Sequence, residues 1–295
     1  KISPQQTEIL KPVKEDVNGL NVDIVGLSVV ICGGFIVLFM TIDDLIGIKA
    51  SIRLLFQVLI VLLMIMMSDE HITNLGNLVG FGDIELGKFS VAFTIFSVVG
   101  LMNAYNMSDG LNGICASFAI IPMIFLMLFG HIKFGLLIPI GALIGFLVFN
   151  LGYLGEKRGV FLGDSGSNYI GFIVAMLCVN YSQTELTINP VTALWFVAIP
   201  LLDCIGVMTS RLLEGVMPFR PGRDHLHHKL LDLGLNPKHI LYVFIISSIS
   251  LSFIGCLFQI IFPNQEYISF YSFICLSIFY YTVTKTKLGN NVKSI

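Results

Sequence analysis

Charge is what this sequence has least of. Only 12% of its 295 residues are Asp, Glu, Lys or Arg, about half the share of an ordinary soluble domain. A soluble fold must present polar surface to water, and this chain carries too little of it. Disorder is excluded on the same ground, because disordered segments are polar and charge-rich. A basic excess is missing as well. The formal net charge is −2, whereas a nucleic-acid binder carries a clear surplus of Lys and Arg. Six cysteines (Cys32, Cys115, Cys178, Cys204, Cys256 and Cys275) lie in apolar runs without CxxC or metal-ligand spacing, so they are expected to be small buried hydrophobes. Residues 1–21 begin with Lys1, are polar and show no signal-peptide pattern. They are expected to form a periplasmic loop that follows spans further upstream.

What is abundant is apolar. Hydrophobic residues make up 55% of the chain and the mean hydropathy is +0.86, so an integral membrane protein is expected. A helix needs roughly 20 mostly apolar residues to cross the hydrocarbon. Nine runs qualify as candidates: 22–42, 52–68, 89–107, 113–130, 134–150, 168–182, 191–210, 240–262 and 266–284. None alternates as a strand does, which excludes a barrel and leaves an all-α, polytopic transmembrane helical bundle. Pro122, Pro139 and Pro200 interrupt three of the runs and predict kinks. Of the 17 Lys and Arg residues, twelve fall in the loops after odd-numbered runs and in the C-terminal tail 285–295. That bias places those loops and the C-terminus in the cytoplasm.

The ionisable groups crowd the same side, which favours an enzyme over a transporter, whose charges sit near the midplane. Asp43 and Asp44 end the first run in TIDDLIGIK. They read either as a solvated helix end or as a general base with a neighbour that shapes its field. Asn103, Asn106, Asp109 and Asn112 recur every third residue in NAYNMSDGLNG and share one side of a helix end; a plain polar turn is the alternative. In Phe161-Leu-Gly-Asp164-Ser-Gly-Ser167, N–H groups before a helix suit a phosphate and Asp164 suits a divalent ion, or the segment simply caps the helix. In PFRPGRDHLHH, His225, His227 and His228 with Arg223 suit a diphosphate better than zinc, since no cysteine partner or HExxH helix accompanies them. Arg211 faces the same compartment. Asp203, two turns inside the seventh run, is either functional or a buried structural partner.

Together NAYNMSDGLNG, NLGYLGEKRGVFLGDSGSNYIGF, PVTALWFVAIPLLD and PFRPGRDHLHH resemble the polyprenyl-phosphate N-acetylhexosamine-1-phosphate transferases. They look most like the branch that uses GlcNAc in Gram-negative bacteria. The resemblance runs from about Ile42 to the last span. It implies ten or eleven helices with the active site at the cytoplasmic face, a transferase domain over 22–284, and a bacterial inner-membrane location. The implied reaction moves GlcNAc-1-phosphate from UDP-GlcNAc to undecaprenyl phosphate and releases UMP. It also implies Mg²⁺, with Mn²⁺ as the alternative ion. Carried over by position, Asp43 matches the candidate base, with Asp44 beside it. Asp109 matches a catalytic aspartate and Asp164 the magnesium ligand. Phe161 matches an aromatic that stacks on uracil, and Asn106 and Asn112 belong to the uridine half. His225, His227, His228, Arg211 and Arg223 match the sugar-phosphate half. Asn112 stands where relatives commonly have Asp, and the basic Pro-x-x-Gly-Gly segment of the family is not found. The lipid bilayer is the expected surroundings, nucleic acid is not expected, and a homodimer is an open option. Two rivals remain: the same reaction with another UDP-sugar, such as MurNAc-pentapeptide or a modified hexosamine, and a non-catalytic transporter.

Overall fold

The computed structural model describes residues 24–129, 134–218 and 222–287. The expected loop 1–21, Lys133, the stretch 219–221 and the tail beyond 287 lie outside the described residues. Among the described residues the architecture is helical, with one isolated bridge between Asn74 and Glu85. In chain order the helices are α1 (Ile24–Ile46), α2 (Ala50–Ser68), α3 (Ser90–Ser108), α4 (Ile114–Phe129), α5 (Leu137–Asn150) and α6 (Gly163–Val179). They are followed by α7 (Pro190–Phe196), α8 (Ala198–Leu213), α9 (Leu226–Asp232), α10 (Pro237–Ile261) and α11 (Glu266–Thr282).

Each of the nine apolar runs coincides with helix, but they are not equivalent. Among the described residues five helices are long and apolar enough to cross a membrane: α1, α2, α3 with the turn before it, α10 and α11 with its extension. The chain is a multi-pass membrane protein. Helices α4 and α5 are apolar but shorter, and α6 continues into a π-turn over Asn180–Thr184.

The seventh run bends sharply next to Pro200, where a kink is expected. It is not one straight span: α7 and α8 meet at Val197 with a bend of 83°. Pro200 supplies the reason. It has no N–H for the carbonyl of Phe196, and it is accepted only in the first turn of a helix, where that N–H has no partner to lose. The helix therefore restarts just upstream of it. Pro122, by contrast, sits within α4.

The packing explains where the site forms. Helices α3 and α6 approach backbone to backbone at Gly171, where a Cβ would stand 2.8 Å from the Met102 Cα. Small residues let membrane helices approach backbone to backbone in this way. Large apolar side chains such as Leu38, Leu55, Met66, Phe96 and Ile138 point outward, as lipid-facing residues do. Of the cysteines, Cys275 departs from expectation: it is exposed on α11, while the other five are buried, and all six are free. Polar contacts then concentrate at the two ends of the bundle. One end gathers the C-termini of α1, α3 and α8 with the N-termini of α2, α6 and α9.

Candidate active site

Asp43 and Asp44 end α1 one residue apart, so a helix of 100° per residue sends them in different directions. Asp43 is buried at 5% exposure, and both of its oxygens are in use. Oδ1 accepts from the Ile48 N–H at 2.6 Å, and Oδ2 from Arg53 Nη1 at 3.1 Å. Asp44 is exposed, and its carboxylate faces the first residue of α6: a Cβ on Gly163 would lie 3.8 Å from Asp44 Oδ2.

Arg53, in the first turn of α2, ties two distant segments together. The same Nη1 that meets Asp43 also donates to Asp164 Oδ2 at 3.2 Å. Asp164 lies in the first turn of α6, where the helix dipole favours a negative charge. Its other oxygen accepts from Asn106 Nδ2 at 3.0 Å, a group shared with Ser167 Oγ at 3.0 Å. The Asp164 side chain remains 43% exposed, so it keeps a face open to a ligand.

Beneath this layer runs a chain of amides. Gln57 Nε2 donates to Asn168 Oδ1 at 2.6 Å, and Asn103 Nδ2 donates to Gln57 Oε1 at 2.9 Å. Asn168 Nδ2 in turn donates to the Asp164 carbonyl at 2.8 Å. Such groups are costly in a membrane unless they find one another. The every-third-residue pattern is thus realised in part: Asn103 and Asn106 project from α3 toward α2 and α6. Asp109 caps α3, and Asn112 is exposed in the turn that follows. Burial, then the neighbouring charge of Asp164, pushes the Asp109 carboxyl up to about 7.

The histidine loop is built on Asp203. This carboxylate, 7% exposed in α8, accepts from Tyr280 OH and the Leu226 N–H at 2.9 Å each and meets His225 Nδ1 at 2.8 Å. Of its two readings, the structure supports the structural partner. Arg211 is equally occupied. It is 5% exposed and grips Asp224 Oδ2 through Nε and Nη2, at 3.1 and 3.0 Å, and the Pro218 carbonyl through Nη1 at 2.8 Å. Arg223 is exposed and pairs with Asp232 at 3.3 Å.

His227 is buried at 2% exposure, and its Nε2 has no hydrogen-bond partner among the described residues. That nitrogen lies against Gly110, where any Cβ would overlap it. Burial, then the adjacent His228, pulls the His227 imidazole down to about 4. His228 is lowered too, by burial and by Arg223. A small cavity lined by Ser108, Ile114, Phe118, Asp203 and His227 lies behind the loop.

The structure therefore assembles Asp43, Asp44, Asp164 and Asn106 around Arg53. Contact of Gly110 with His227 joins that group to the His225–Asp203 loop. Phe161 stands just before α6 and is 78% exposed. Arg53, Gln57, Asn168 and Asp224 were not singled out by the sequence. Arg53 offered one signal, a cation ten residues after Asp43. Among the described residues no three His, Cys, Asp or Glu side chains are grouped closely enough to hold a metal ion by themselves.

The chain matches the model of glycosyl transferase family 4 over residues 26–182. It is 35% identical over 234 residues to the undecaprenyl-phosphate alpha-N-acetylglucosaminyl 1-phosphate transferase of Escherichia coli strain K12, covering 77% of this chain and 64% of that one. Against the protein of the same name from Yersinia pestis the identity is 34%, with 76% and 63% covered. Against that from Haemophilus influenzae it is 32%, with 82% and 70% covered. The chain thus spans a little under two thirds of the length of the first two of these relatives.

Proposed function

Because the chain belongs to glycosyl transferase family 4, we propose that it transfers GlcNAc-1-phosphate from UDP-GlcNAc to undecaprenyl phosphate in a bacterial inner membrane. The observation that carries this reading is the juxtaposition at one membrane end of Asp44, Arg53 and the open face of Asp164. The match to relatives that bear the name of this reaction supports it. In the transfer, an oxygen of the lipid phosphate attacks the phosphorus next to the sugar. The bond from that phosphorus to the bridging oxygen breaks, and UMP departs with the electron pair. The lipid phosphate is already a good nucleophile near neutral pH, so a base removes at most one proton.

Within the aspartate pair the proposed division is by exposure. Asp44 is the carboxylate open to substrate and takes the proton. Asp43, whose oxygens hold Ile48 N–H and Arg53, positions the arginine. This departs from the position-by-position resemblance, which makes Asp43 the base. Arg53 meets phosphate oxygens with a fixed charge and planar donors. The exposed ring of Phe161 stacks on uracil, and Asn112 offers an amide to its edge. Arg223 and the surface of the histidine loop hold the sugar-phosphate half, with Asp203 and Arg211 fixing the loop from behind. Asp109 closes the uridine side.

The donor set fits Mg²⁺ in the way that ion is usually held, by one or two carboxylates with phosphate oxygens and water. Asp164 has an open face, Asn106 and Ser167 lie beside it, and the Arg53 guanidinium links it to Asp43. Mg²⁺ held by Asp164 would neutralise the diphosphate charge as UMP leaves. The proposed topology takes all nine helical runs as crossings, with this end and the C-terminus in the cytoplasm. The test uses the full-length gene product in detergent with undecaprenyl phosphate, UDP-GlcNAc and Mg²⁺. Mass spectrometry is expected to find UMP and the lipid-diphosphate sugar, both lost with EDTA. No UMP from any UDP-sugar would overturn the proposal.

A further inference from the structure

At the end of the bundle opposite the aspartates, the loop between α2 and α3 carries an apolar tip. Phe81 is 96% exposed and Val79 40%. Two glycines at positive φ, Gly80 and Gly82, flank the phenylalanine and turn the chain sharply around it. Burial is the ordinary fate of a phenylalanine, and one displayed so fully asks for a partner.

The tip is held in place, not loose. Its stalk is a short ribbon: Leu75 N donates to Ile84 O at 2.9 Å, and Leu86 N to Thr73 O at 2.8 Å. Asn77 Oδ1 accepts from the Gly80 and Gly82 N–H groups at 2.8 and 3.2 Å, which closes the turn on itself. Gln183, in the π-turn after α6, accepts from the N–H groups of Thr73 and Asn74 at 2.9 and 3.1 Å. Glu266 accepts from Asn77 N at 2.8 Å. A rigid frame therefore presents Phe81.

The frame also sets its depth. Glu266 and Tyr267 form the first turn of α11, one of the helices long enough to span. A Cβ on Gly80 would stand 3.6 Å from the Tyr267 ring. The tip is thus level with the point where a spanning helix leaves the water. Tyr271, one turn further along α11, is half exposed, and Phe89 at the start of α3 is 74% exposed. Aromatic side chains at that level are those that settle in the interface between headgroups and acyl chains. The charges Asp83, Glu85 and Lys88 stay behind the tip, on the stalk and its return.

We propose that the tip Leu78–Gly82 is a membrane anchor, with Phe81 inserted into the interface of the leaflet opposite the aspartate site. The inserted ring fixes the loop on lipid, while Gln183 and Glu266 fix it on the protein. The inference is independent of the reaction proposed above and rests only on the chain spanning a membrane.

Phe81→Trp tests it directly. The one native tryptophan, Trp195, is 4% exposed and bonded through Nε1 to Ser269 Oγ, so its emission gives a quiet background. The variant and its parent are placed in lipid nanodiscs, where both faces are open to water. The added emission is expected to be blue-shifted and to lose about half its intensity to phosphatidylcholine brominated near the top of its acyl chains, as for an interfacial indole. Aqueous iodide should change it little. Red-shifted emission quenched by iodide would show a tip in water and overturn the proposal. Blue-shifted emission untouched by either quencher would show a tip covered by protein, such as a second copy, and would overturn it as well. Should the tryptophan variant fail to assemble, a nitroxide on Phe81→Cys in a Cys275→Ser background answers the same question. Relaxation by oxygen above that by aqueous nickel supports insertion, and the reverse overturns it.

Discussion

Two adjacent aspartates of the same type face different surroundings. Asp43 is buried against Arg53 and the Ile48 amide, while Asp44 is exposed beside the start of α6. The proposed division of labour makes the two variants behave differently. Asp44→Asn should lower kcat on the order of 10²-fold or more, the usual worth of a general base, with little change in Mg²⁺ dependence. Asp43→Asn should instead shift the Mg²⁺ concentration needed for half-maximal rate, because it frees Arg53 to pair with Asp164 alone. Steady-state rates over a Mg²⁺ series decide, and the opposite pattern would return the base to Asp43.

Asp109 supplies a prediction in pH. Its carboxyl is pushed from the ordinary 3.8 to about 7 in the folded protein, so between those values the folded state holds a proton that the unfolded state has released. The contribution is complete below about 4 and is lost as pH rises through about 7. His227, lowered from 6.5 to about 4, acts in the other direction, with its contribution present above 6.5 and lost on acidification. Asp109→Asn removes only the first of these. In EDTA, the melting temperature of the variant relative to the parent should therefore rise between pH 5 and pH 8. A constant difference across that range would reject the burial-driven shift.

At the scale of elements, the histidine loop depends on a single carboxylate inside α8. Asp203 receives Tyr280 OH and the Leu226 N–H and meets His225. Removing a buried acceptor with several partners leaves each of them unsatisfied, at on the order of 1–3 kcal/mol apiece. Asp203→Ala should lower the melting temperature and speed proteolysis between α8 and α9, whereas Tyr280→Phe should do much less. Equal effects of the two substitutions would mean that Asp203 is not the anchor. The loop's contact with Gly110 is as demanding, since the space a side chain would need is filled by His227.

For the whole molecule, the proposed topology sets the two polar ends on opposite sides of the membrane. A single cysteine replacing Lys157, next to the aspartate end, should react with an impermeant maleimide only after cells are opened. A cysteine at Asp83, on the stalk of the opposite loop, should react in intact spheroplasts. Labelling of both from one side would refute the arrangement. Pairing across the molecule made the site: Arg53 and Asp164 are 111 positions apart in the chain, as are Gln57 and Asn168.

The membrane setting, the helical class and nine apolar runs followed from composition and run length, because lipid leaves the backbone few choices. The motifs around Asp43, Asp109, Asp164 and His225 were legible because each lies within one short segment. Periodicity also told that Asn103 and Asn106 share a side, since a helix fixes that locally. What it did not tell was which groups spend their oxygens on each other. That Asp43 is buried while Asp44 is open, that Arg53 bridges two carboxylates, that Asp203 and Arg211 brace a loop, and that His227 is shut against Gly110 all depend on contacts between segments far apart in the chain. Even the break at Val197 needed the fold, for a proline marks where a helix can restart and the packing decides through what angle. Local chemistry fixes what a residue can do, and only the assembled bundle decides what it has left to do it with.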